Sequence, residues 1–450
     1  MEKKLRYHLT TFGCQMNKND SERAESLLVD LGLERALRPE EADFLLVNTC
    51  SVRQAAEDRV FGLLHLFAKL KEKRPDILIG VTGCMAGRDK DGRLRAKLPM
   101  ADFFLGTVEL PQLPRLLAEH WPDFLEAPAP QANYLSIAPY RPGAKQAYVT
   151  VQTGCSKFCS YCVVPYARGL EKNRPLREIL DEIRSLAAAG CLEVTLLGQA
   201  VNAYRASDPE NFSAANPFRD HFAALLWEIN EIKGIERFHY TAPHPLHLSE
   251  EGIEALALKK HIRFLHLPVQ SGSNEILRRM NRRYTREQYL DLIERARARV
   301  PELALGTDII VGFSGETAEQ FEETVDLYRL AAFDIAYLAQ YSARSGTLAS
   351  RAFKDDVPRE EKKRRWRVLQ NLMEEIVLQK NKKLIGQSVR VLVCDVDSRG
   401  FAEGNSDQMK RVRFLCPPDQ SDSLVGKLVW VRIQNTREWV LDGVLERELL

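Results

Sequence analysis

Apolar and polar positions form two strand–helix series along this chain, and the first fills residues 1–125. Short runs of β-branched and aliphatic residues near Arg6, Asp43, Ile77 and Asp102 predict strands. Positions with helical spacing follow these runs and predict helices over residues 20–31, 53–71, 89–97 and 109–120. This alternation predicts an α/β domain with a parallel sheet.

The second series is longer and starts at Ala147. Six of its runs predict strands, namely AYVTVQ, EVTLLG, RFHYT, RFLHLPV, LGTDIIVGF and DIAYLAQYS. Helices are predicted over residues 175–189, 219–233, 249–258, 285–300 and 316–331. Because six parallel strands cannot close a standard eight-stranded barrel, we expect a partial (β/α)6 barrel whose open side admits a macromolecular substrate.

A proline-rich stretch, residues 126–146, separates the two series. Pro128, Pro130, Pro139 and Pro142 interrupt it without any periodicity, which predicts an extended linker. A buried irregular arm is the alternative that this composition leaves open.

The last part of the chain predicts one long helix and a small β-barrel. Residues 359–383 have a basic start, KKRRWR, and an apolar stripe, so this helix either contacts RNA or packs one apolar edge against the fold and presents a charged face to solvent. From Gly386 short apolar runs are separated by Gly and Asp, as in small barrels that bind single-stranded nucleic acid. The candidate RNA contacts are Lys410, Arg411, Arg413 and Phe414. The predicted division is therefore 1–125, 126–146, 147–380 and 381–450.

Composition agrees with a multidomain enzyme of the cytoplasm. The 450 residues are 45% hydrophobic and 28% charged, enough for about three packed domains. No apolar run approaches the ~20 residues that span a bilayer, and the N-terminus lacks the hydrophobic region of a signal peptide. Nine cysteines, a sparse and odd number, argue against a disulfide framework. The net charge of +2 is too small to indicate nucleic acid binding by itself.

The most specific chemical signal is the spacing C-x-x-x-C-x-x-C of Cys155, Cys159 and Cys162, here called the loop cysteines. They can surround one soft metal centre, and because iron–sulfur clusters usually take four cysteines, one iron would be left for a cofactor. A zinc site is the main alternative, but the nearest further ligands, Cys191 and His221, lack the spacing of a zinc knuckle. A disulfide and a chance arrangement are weaker alternatives.

Three more cysteines, Cys14, Cys50 and Cys84, each follow a predicted strand and are here called the strand-end cysteines. Because the carboxyl ends of parallel strands meet at one edge of a sheet, we expect these thiols to converge on a second metal centre. Three unrelated buried cysteines are the alternative. The remaining cysteines have no partner at metal spacing and are interpreted as buried structural residues: Cys191, Cys394 and Cys416.

Longer motifs surround these cysteines or lie between them: TFGCQMN, NTCSVR, GCMA, GCSKFCSYCVVPYARG, LLGQAVN, LPVQSGS and TDIIVGFSGET. With them, essentially the whole chain resembles the radical S-adenosylmethionine (SAM) methylthiotransferase family, which combines a cluster-bearing N-terminal domain, a radical SAM partial barrel and a C-terminal TRAM barrel. The positions that indicate the MiaB-type, tRNA-modifying branch are Ser51, Val52, Arg53, Met85 and Ala86. Sister branches act on threonylcarbamoyladenosine in tRNA or on a ribosomal protein.

The resemblance implies two [4Fe-4S] clusters and SAM as cofactors, and a methylthio group inserted at C2 of N6-isopentenyladenosine next to the anticodon. The loop cysteines would hold the cluster that binds SAM through its open iron and cleaves it to a deoxyadenosyl radical. The C2 hydrogen of adenine is not acidic, so a radical rather than a base must remove it. The strand-end cysteines would hold the cluster that carries the sulfur. The chain departs from common family residues, away from the metal ligands, at Ala167, Asn173, Ala242 and Ser314.

Further cofactor contacts are predicted at the strand ends of the barrel. Polar side chains suited to the ribose and amino acid parts of SAM are Gln199, Asn202, Gln270 and Ser271, although each could instead cap a following helix. Tyr161 is predicted to stack on the SAM adenine, with packing against its own loop as the alternative.

The implied partners are a tRNA anticodon stem-loop bearing isopentenyladenosine, an electron donor such as flavodoxin or ferredoxin, and a sulfur donor, with no membrane. Two rival classes remain open. A two-cluster electron carrier needs no six-stranded barrel and normally has clusters with complete cysteine ligation. A zinc-stabilised RNA-binding module leaves the strand-end cysteines unexplained.

Overall fold

The computed structural model describes residues 4–51, 54–126, 129, 133–416 and 421–448. Contacts within the chain define two compact units. The first comprises Met1–Gly143, Tyr148–Arg174 and Leu197–Gln199, and the second comprises Ala144–Ala147, Pro175–Leu196 and Ala200–Leu450. These units do not test the predicted boundaries at 125, 146 and 380, which stay predictions. Pro128 and Pro130 of the predicted linker lie outside the described residues.

The first unit contains a five-stranded parallel sheet. Its strands are β1 (Arg6–Phe12), β2 (Glu34–Arg35), β3 (Phe44–Thr49), β4 (Leu78–Gly83) and β5 (Phe103–Leu105). Their order is β2-β1-β3-β4-β5, with every neighbouring pair parallel. The predicted α/β architecture of the N-terminal part is therefore confirmed.

Both faces of this sheet are buried, since every residue of its strands β3 and β4 is buried. Phe44 and Leu46 face one core, and the alternate residues Leu45 and Val47 face the other. Helices cover the two faces: α1 (Gln15–Asp30), α2 (Gln54–Lys73), α3 (Cys84–Arg88), α4 (Arg93–Ala96) and α5 (Leu113–His120).

One helix prediction in this unit was wrong, since residues 89–97 do not form a single helix. Gly92 is left-handed, with φ of +70°, and ends the continuity between α3 and α4. The carboxylate of Asp89 accepts hydrogen bonds from the N–H groups of Leu94 (2.9 Å) and Arg95 (2.8 Å). A turn that satisfies these first N–H groups replaces a helix there.

The six predicted barrel strands form two three-stranded sheets. The chain continues with β6 (Gln146–Thr150), the short pair β7 (Gln152–Thr153) and β8 (Lys172–Asn173), then β9 (Glu193–Leu197), β10 (Arg237–Tyr240), β11 (Phe264–His266), β12 (Ala304–Val311) and β13 (Ile335–Gln340). The sheet orders are β10-β9-β6 and β11-β12-β13. A parallel bridge between Phe238 and His261 connects β10 to the residues before β11. The strands thus follow one another in chain order, as in a partial barrel.

Every helix that the periodicity predicts in this region is present, with its ends shifted by a few residues, and three short helices occur in addition. In chain order the helices are α6 (Val164–Arg168), α7 (Leu176–Ala188), α8 (His221–Glu231), α9 (Glu250–Ala255), α10 (Asn274–Arg279), α11 (Arg286–Arg299), α12 (Ala318–Ala331), α13 (Leu348–Ala352) and α14 (Arg359–Lys382). The short helices α6, α10 and α13 were not predicted. Among the described residues, no helix combines the length and apolar character needed to cross a membrane.

The C-terminal part is a closed five-stranded barrel, as predicted. Its elements are β14 (Ser388–Val396), β15 (Phe401–Ser406), β16 (Arg411–Leu415), α15 (Ser421–Leu424), β17 (Leu428–Thr436) and β18 (Leu441–Glu448), and its strand order is β14-β15-β16-β18-β17. Alternate residues such as Val412 and Phe414 fill its core.

Two predicted RNA contacts in this barrel are wrong. Phe414 is 1% exposed and belongs to the core. Lys410 is largely buried, and its Nζ lies 2.9 Å from Asp334 Oδ1. The outward-facing Arg411 and Arg413 form ion pairs with Glu403 and Asp442. Lys410 and Phe414 are therefore used inside the fold, whereas Arg411 and Arg413 reach the surface as members of ion pairs.

The basic start of α14 is also used inside the fold. Lys362 and Arg365 are buried, and Arg365 pairs with Glu316 at 2.7 Å. Trp366 Nε1 donates a hydrogen bond to the carbonyl of Leu338 at 3.1 Å. Of the two interpretations of this helix, these contacts favour the packing role over RNA contact.

Candidate metal centres

The strand-end cysteines lie side by side because three strands end in register. Thr49, the last residue of β3, is paired with Phe12 of β1 and with Gly83 of β4. Cys50 follows directly, and its N–H donates to the carbonyl of Phe12 at 2.9 Å. Cys84 follows Gly83, and Cys14 follows Phe12 after one glycine. The sheet thus brings these three residues to one edge, as the sequence indicates.

Two glycines make room for this arrangement. Gly13 has φ of +148°, and a Cβ there would lie 2.8 Å from Cys50 Cβ. Gly83 has φ of +98°, and a Cβ there would overlap the Asn48 side chain and the Thr49 carbonyl. A larger residue at either position would therefore push a strand-end cysteine out of place.

A buried amide pair supports the same edge. Asn17 Nδ2 donates to Asn48 Oδ1 at 3.2 Å, while Asn48 Nδ2 donates to the Asn17 carbonyl at 2.7 Å and to Ser21 Oγ at 2.9 Å. Asn17 Oδ1 also accepts from the backbone N–H of Cys14 at 3.4 Å. This network fixes the start of α1, and with it Cys14, against the end of β3.

The three thiols differ in exposure and in acidity. Cys14 is exposed, whereas Cys50 and Cys84 are buried. A hydrogen bond from Cys50 and the positive charge of Arg168 lower the pKa of Cys14. Burial raises the pKa of Cys84, and Arg168 opposes that effect. The guanidinium therefore favours the metal-binding thiolate form at Cys14, and at Cys84 it offsets only part of the effect of burial on the pKa.

Arg168 is the cation of this site, and it is almost completely buried. Its Nε donates to Cys84 Sγ at 3.1 Å, and its two terminal nitrogens donate to the carboxylate of Asp20. Tyr134 OH donates to the same carboxylate. Burial alone would lower the pKa of Arg168, but the charge of Asp20 raises it well above its usual value. The guanidinium therefore stays charged and fixed beside the thiols.

This donor set fits an iron–sulfur cluster better than a single ion. Within the described part of the chain, no group of three or more His, Cys, Asp or Glu side chains is arranged around one ion position. Thiolates that each bind a different iron need not converge on one point, so the strand-end cysteines can satisfy a cluster. The buried guanidinium would offset part of the negative charge of such a cluster.

The loop cysteines lie between β7 and α6 in the same unit. The Cys155 N–H donates to the carbonyl of Gly169 at 3.1 Å, and the Cys162 N–H donates to the carbonyl of Cys159 at 2.9 Å. Phe158, between the first two cysteines, has φ of +49° and an exposed ring. Such backbone strain in a non-glycine residue is typical of functional loops.

The first two thiols of this loop interact electrostatically. Burial raises the pKa of Cys155, and a negative charge on Cys159 raises it further. All nine cysteines fall in the described part of the chain, and they are thiols there rather than halves of disulfides. The loop cysteines are thus available as soft ligands, which fits the open cluster that their spacing predicts.

The predicted SAM contacts have different surroundings. The side-chain oxygen of Gln199 is buried and has no hydrogen-bond partner among the described residues. Asn202 instead binds the backbone of His244 through both amide atoms, at 3.0 and 2.7 Å. Ser271 Oγ accepts from the Ser273 N–H at 3.2 Å. Gln270 is buried at φ of +75°, and its backbone continues the ladder of β12.

The remaining predicted residues are mostly structural in their contacts. Ser51 Oγ donates to Glu57 Oε1 at 2.7 Å, and Glu57 pairs with Arg88 at 2.8 Å. Met85 is part of a buried core, and Ala86 is also buried. Val52 and Arg53 lie outside the described residues. Tyr161 is half-buried.

Cys394 corrects one prediction, because it is exposed rather than buried. It stands on a barrel strand at a position whose neighbour Val393 faces the core. Cys191 and Cys416 are buried, as predicted.

Sequence reasoning missed the residues that surround the thiols and those on one face of the barrel. Arg168, Asp20 and Asn48 carry no local signal, because their partners are distant in the chain. In the β11–β13 sheet, Leu265, Leu305 and Ile309 face the buried side. The opposite face carries His266, Asp308 and the exposed Tyr337. The polar His266 and Asp308 within largely apolar strands were the signal that could have indicated this face, since alternate residues of a strand share a face.

The chain matches two protein-family models. One is the radical SAM superfamily over residues 149–328, and the other is the uncharacterized protein family UPF0004 over residues 6–106. The second match spans all three strand-end cysteines, and the first spans all three loop cysteines.

Curated relatives match along nearly the whole chain. A tRNA-2-methylthio-N(6)-dimethylallyladenosine synthase of Carboxydothermus hydrogenoformans is 42% identical, covering 98% of this chain and 99% of the relative. A protein of the same name from Geobacillus kaustophilus is 40% identical, and the match covers 99% of this chain and 83% of the relative. Another from Thermotoga petrophila is also 40% identical, and that match covers 98% of this chain and 96% of the relative. Among solved structures, the radical SAM methyltransferase TsrM of Kitasatospora setae has a TM-score of 0.55 at 15% identity, covering 89% of this chain and 81% of that one. That likeness shows the fold alone.

Proposed function

This chain belongs to the family of the tRNA-2-methylthio-N(6)-dimethylallyladenosine synthases, and from that membership we propose that it inserts a methylthio group at C2 of N6-isopentenyladenosine in tRNA. The observation that supports this proposal most strongly is the match, over nearly the full chain, to curated relatives that all bear the name of this activity. The enzyme is a radical SAM methylthiotransferase, and the radical SAM domain brings with it SAM and a [4Fe-4S] cluster. The modified adenosine would lie next to the anticodon.

We assign the SAM-binding cluster to the loop cysteines and a second [4Fe-4S] cluster to the strand-end cysteines. Bound together, the cluster and SAM supply one-electron chemistry that can remove a hydrogen too weakly acidic for any side-chain base, and the second cluster supplies the sulfur. The protein's own contribution is to hold both thiol sets and to exclude water. Three cysteines in each set leave room for a non-protein ligand at each centre.

The chain's polar groups would orient the cofactor and the substrate. Gln199 is the best supported SAM contact, because its buried side-chain oxygen has no hydrogen-bond partner within the described part of the chain and can accept from a ligand. Asn202 and Ser271 would act indirectly, by holding the loops that carry them. Tyr161 and Gln270 remain proposed contacts. The exposed Tyr337 ring, 5.6 Å from the His266 ring, offers an aromatic surface to a purine.

The partners follow from this chemistry. The substrate would be a tRNA anticodon stem-loop that already bears the isopentenyl group. An electron donor such as flavodoxin or ferredoxin would reduce the SAM-binding cluster, and a separate sulfur donor would replenish the second one. A reducing cytoplasm would suit both requirements, and it is the proposed location of the reaction.

Mass spectrometry of tRNA nucleosides tests the substrate. Cells that lack the protein should accumulate N6-isopentenyladenosine and lose its 2-methylthio form, and the intact gene should restore the product. A variant with Cys155→Ala, Cys159→Ala and Cys162→Ala is the matched control that should not restore it. Unchanged isopentenyladenosine with loss of 2-methylthio-threonylcarbamoyladenosine, or of ribosomal protein methylthiolation, would reject this substrate in favour of a sister one.

Iron analysis tests the two centres separately. Replacing the loop cysteines by Ala should halve the iron of anaerobically purified protein and abolish SAM cleavage. Replacing the strand-end cysteines by Ala should also halve the iron but leave SAM cleavage without methylthiolation. Loss of all iron in either variant, or zinc in place of iron, contradicts two independent iron–sulfur centres.

A further inference from the structure

The helix that follows the loop cysteines packs against the helix that begins at Cys84. These are α6 and α3, and Gly87 of α3 lies so close to α6 that a Cβ there would overlap the Ala167 carbonyl. Arg168 is the next residue, the last of α6 and six positions after Cys162. A segment adjoining one cysteine set in sequence therefore reaches into the other set in space.

The contacts of Arg168 are directional. Its Nε–H donates to Cys84 Sγ at 3.1 Å across 84 residues of sequence. The two terminal nitrogens are held by both carboxylate oxygens of Asp20, so the guanidinium plane cannot rotate away from the sulfur. The carboxylate is itself fixed by the hydroxyl of Tyr134. This is a complete outer layer around one proposed cluster ligand.

From this geometry we propose that Arg168 is an outer-layer positioning residue for the strand-end centre, and that its hydrogen bond to Cys84 raises the reduction potential of that centre alone. The inference rests on the proposed function, because it requires a cluster on the strand-end cysteines. It does not depend on the identity of the nucleoside.

The direction of the effect follows from charge. A cluster gains negative charge when it is reduced, and an N–H group that points at a ligating sulfur stabilises the reduced form more than the oxidised form. Asp20 neutralises the net charge of Arg168, so the directed N–H···S bond carries most of the effect. We therefore expect about a tenfold change in the one-electron reduction equilibrium, which corresponds to ~59 mV.

The test is potentiometric titration, followed by electron paramagnetic resonance, of full-length protein with one centre at a time. Arg168→Gln is placed in a background with Cys155→Ala, Cys159→Ala and Cys162→Ala, which keeps the strand-end centre. The same change is placed in a background with Cys14→Ala, Cys50→Ala and Cys84→Ala, which keeps the loop centre. Iron per chain is measured for every protein.

We expect the midpoint potential to fall by ~59 mV in the first background and to stay unchanged in the second. Arg168→Lys keeps a charged donor and should give a smaller fall. An unchanged potential in the first background, with iron retained, overturns the inference while leaving the proposed function intact. Equal shifts in both backgrounds also overturn it. If the first background contains no iron even with Arg168 intact, the strand-end cysteines hold no cluster. That result would reject both the inference about Arg168 and the proposed second centre.

Two further variants guard against a folding defect. Arg168→Gln leaves a buried carboxylate without its cation, so Asp20→Asn combined with Arg168→Gln removes both charges and should show the same fall in potential. Arg141→Gln is the matched control, since Arg141 is a buried arginine in the same unit that binds Glu22 at 2.6 Å. A fall in midpoint potential confined to the Arg168 variants supports the inference, and an equal fall in potential or equal iron loss in Arg141→Gln overturns it.

Discussion

Replacing Lys410 by Met should loosen the C-terminal barrel rather than weaken a contact with RNA. The Lys410 ammonium lies 2.9 Å from a carboxylate oxygen of Asp334, and both side chains are largely buried. A hydrogen bond to a charged group contributes about 1.5–3 kcal/mol to stability. Asp334 keeps two other partners after the change, Lys380 and the N–H of Leu305. The expected loss is therefore ~2 kcal/mol.

The pH dependence gives this prediction a second check. Burial by itself would raise the pKa of Asp334, but the charges of Lys410 and Lys380 lower it below its usual value. A carboxyl whose folded pKa is depressed adds stability above its unfolded pKa of about 3.9 and loses it as the pH falls further. The gap between wild type and Lys410→Met should thus be complete at pH 7 and shrink below about pH 4.

Thermal unfolding at several pH values measures both effects. At about 2.1 cal/mol/K of unfolding entropy per residue, a loss of ~2 kcal/mol corresponds to a fall of roughly 3–4 °C in Tm when the second unit, which contains both residues, unfolds as a whole. Arg411→Gln is the matched control, because Arg411 is an exposed barrel cation paired with Glu403, and such surface pairs contribute about 0–1 kcal/mol. An unchanged Tm in Lys410→Met together with weaker tRNA binding would refute the reasoning and restore Lys410 as an RNA contact.

Two other substitutions test the barrel core and the thiol edge. Phe414→Ala should destabilise the protein by about 3–5 kcal/mol, since Phe414 is 1% exposed. The control Leu415→Ala changes an exposed neighbour and should alter stability by less than about 0.5 kcal/mol. Urea unfolding measures both variants, and equal losses of stability would contradict the assignment of Phe414 to the core. Gly83→Ala should lower the iron held by the strand-end cysteines, because a Cβ at φ of +98° overlaps the Thr49 carbonyl. Gly92→Ala is the control: Gly92 also has a positive φ, but a Cβ there meets nothing, so this variant should keep that iron. Iron loss in both glycine variants would show a general folding defect instead.

The order of elements could be predicted because hydrophobic periodicity is a local property. Each strand-end cysteine follows a short strand that contains aliphatic or aromatic residues, and each strand is followed by a helix. The meeting of the three cysteines at one edge therefore followed from general rules for parallel sheets. The loop cysteines needed only their spacing. The strand Phe401–Ser406 was not predicted because its sequence, FAEGNS, is mostly polar and contains a glycine. Gly404 is needed there because a Cβ would overlap the backbone carbonyl of Leu392, a contact that the local sequence does not reveal.

Contacts between distant residues could not be predicted in the same way. Arg168 was part of a quoted motif, but nothing local indicates that its partners are Asp20 and Cys84. Lys410 looked like an RNA contact because composition does not show that Asp334 is buried opposite it. Phe414 is a different case, since the alternation Arg411, Val412, Arg413, Phe414 already places the ring with Val412 on the inner side.

The origin of Arg168 in α6 also has a consequence for biosynthesis. Cys84 leaves the ribosome 84 residues before the arginine that binds it. At about 5–20 residues per second, this interval is roughly 4–17 s of translation. During that time Asp20, on the already synthesised helix α1, lacks its counter-charge. Iron delivered to the growing polypeptide would reach the strand-end cysteines before Arg168 is present. We therefore expect the cluster to be assembled on these cysteines only after α6 has been synthesised.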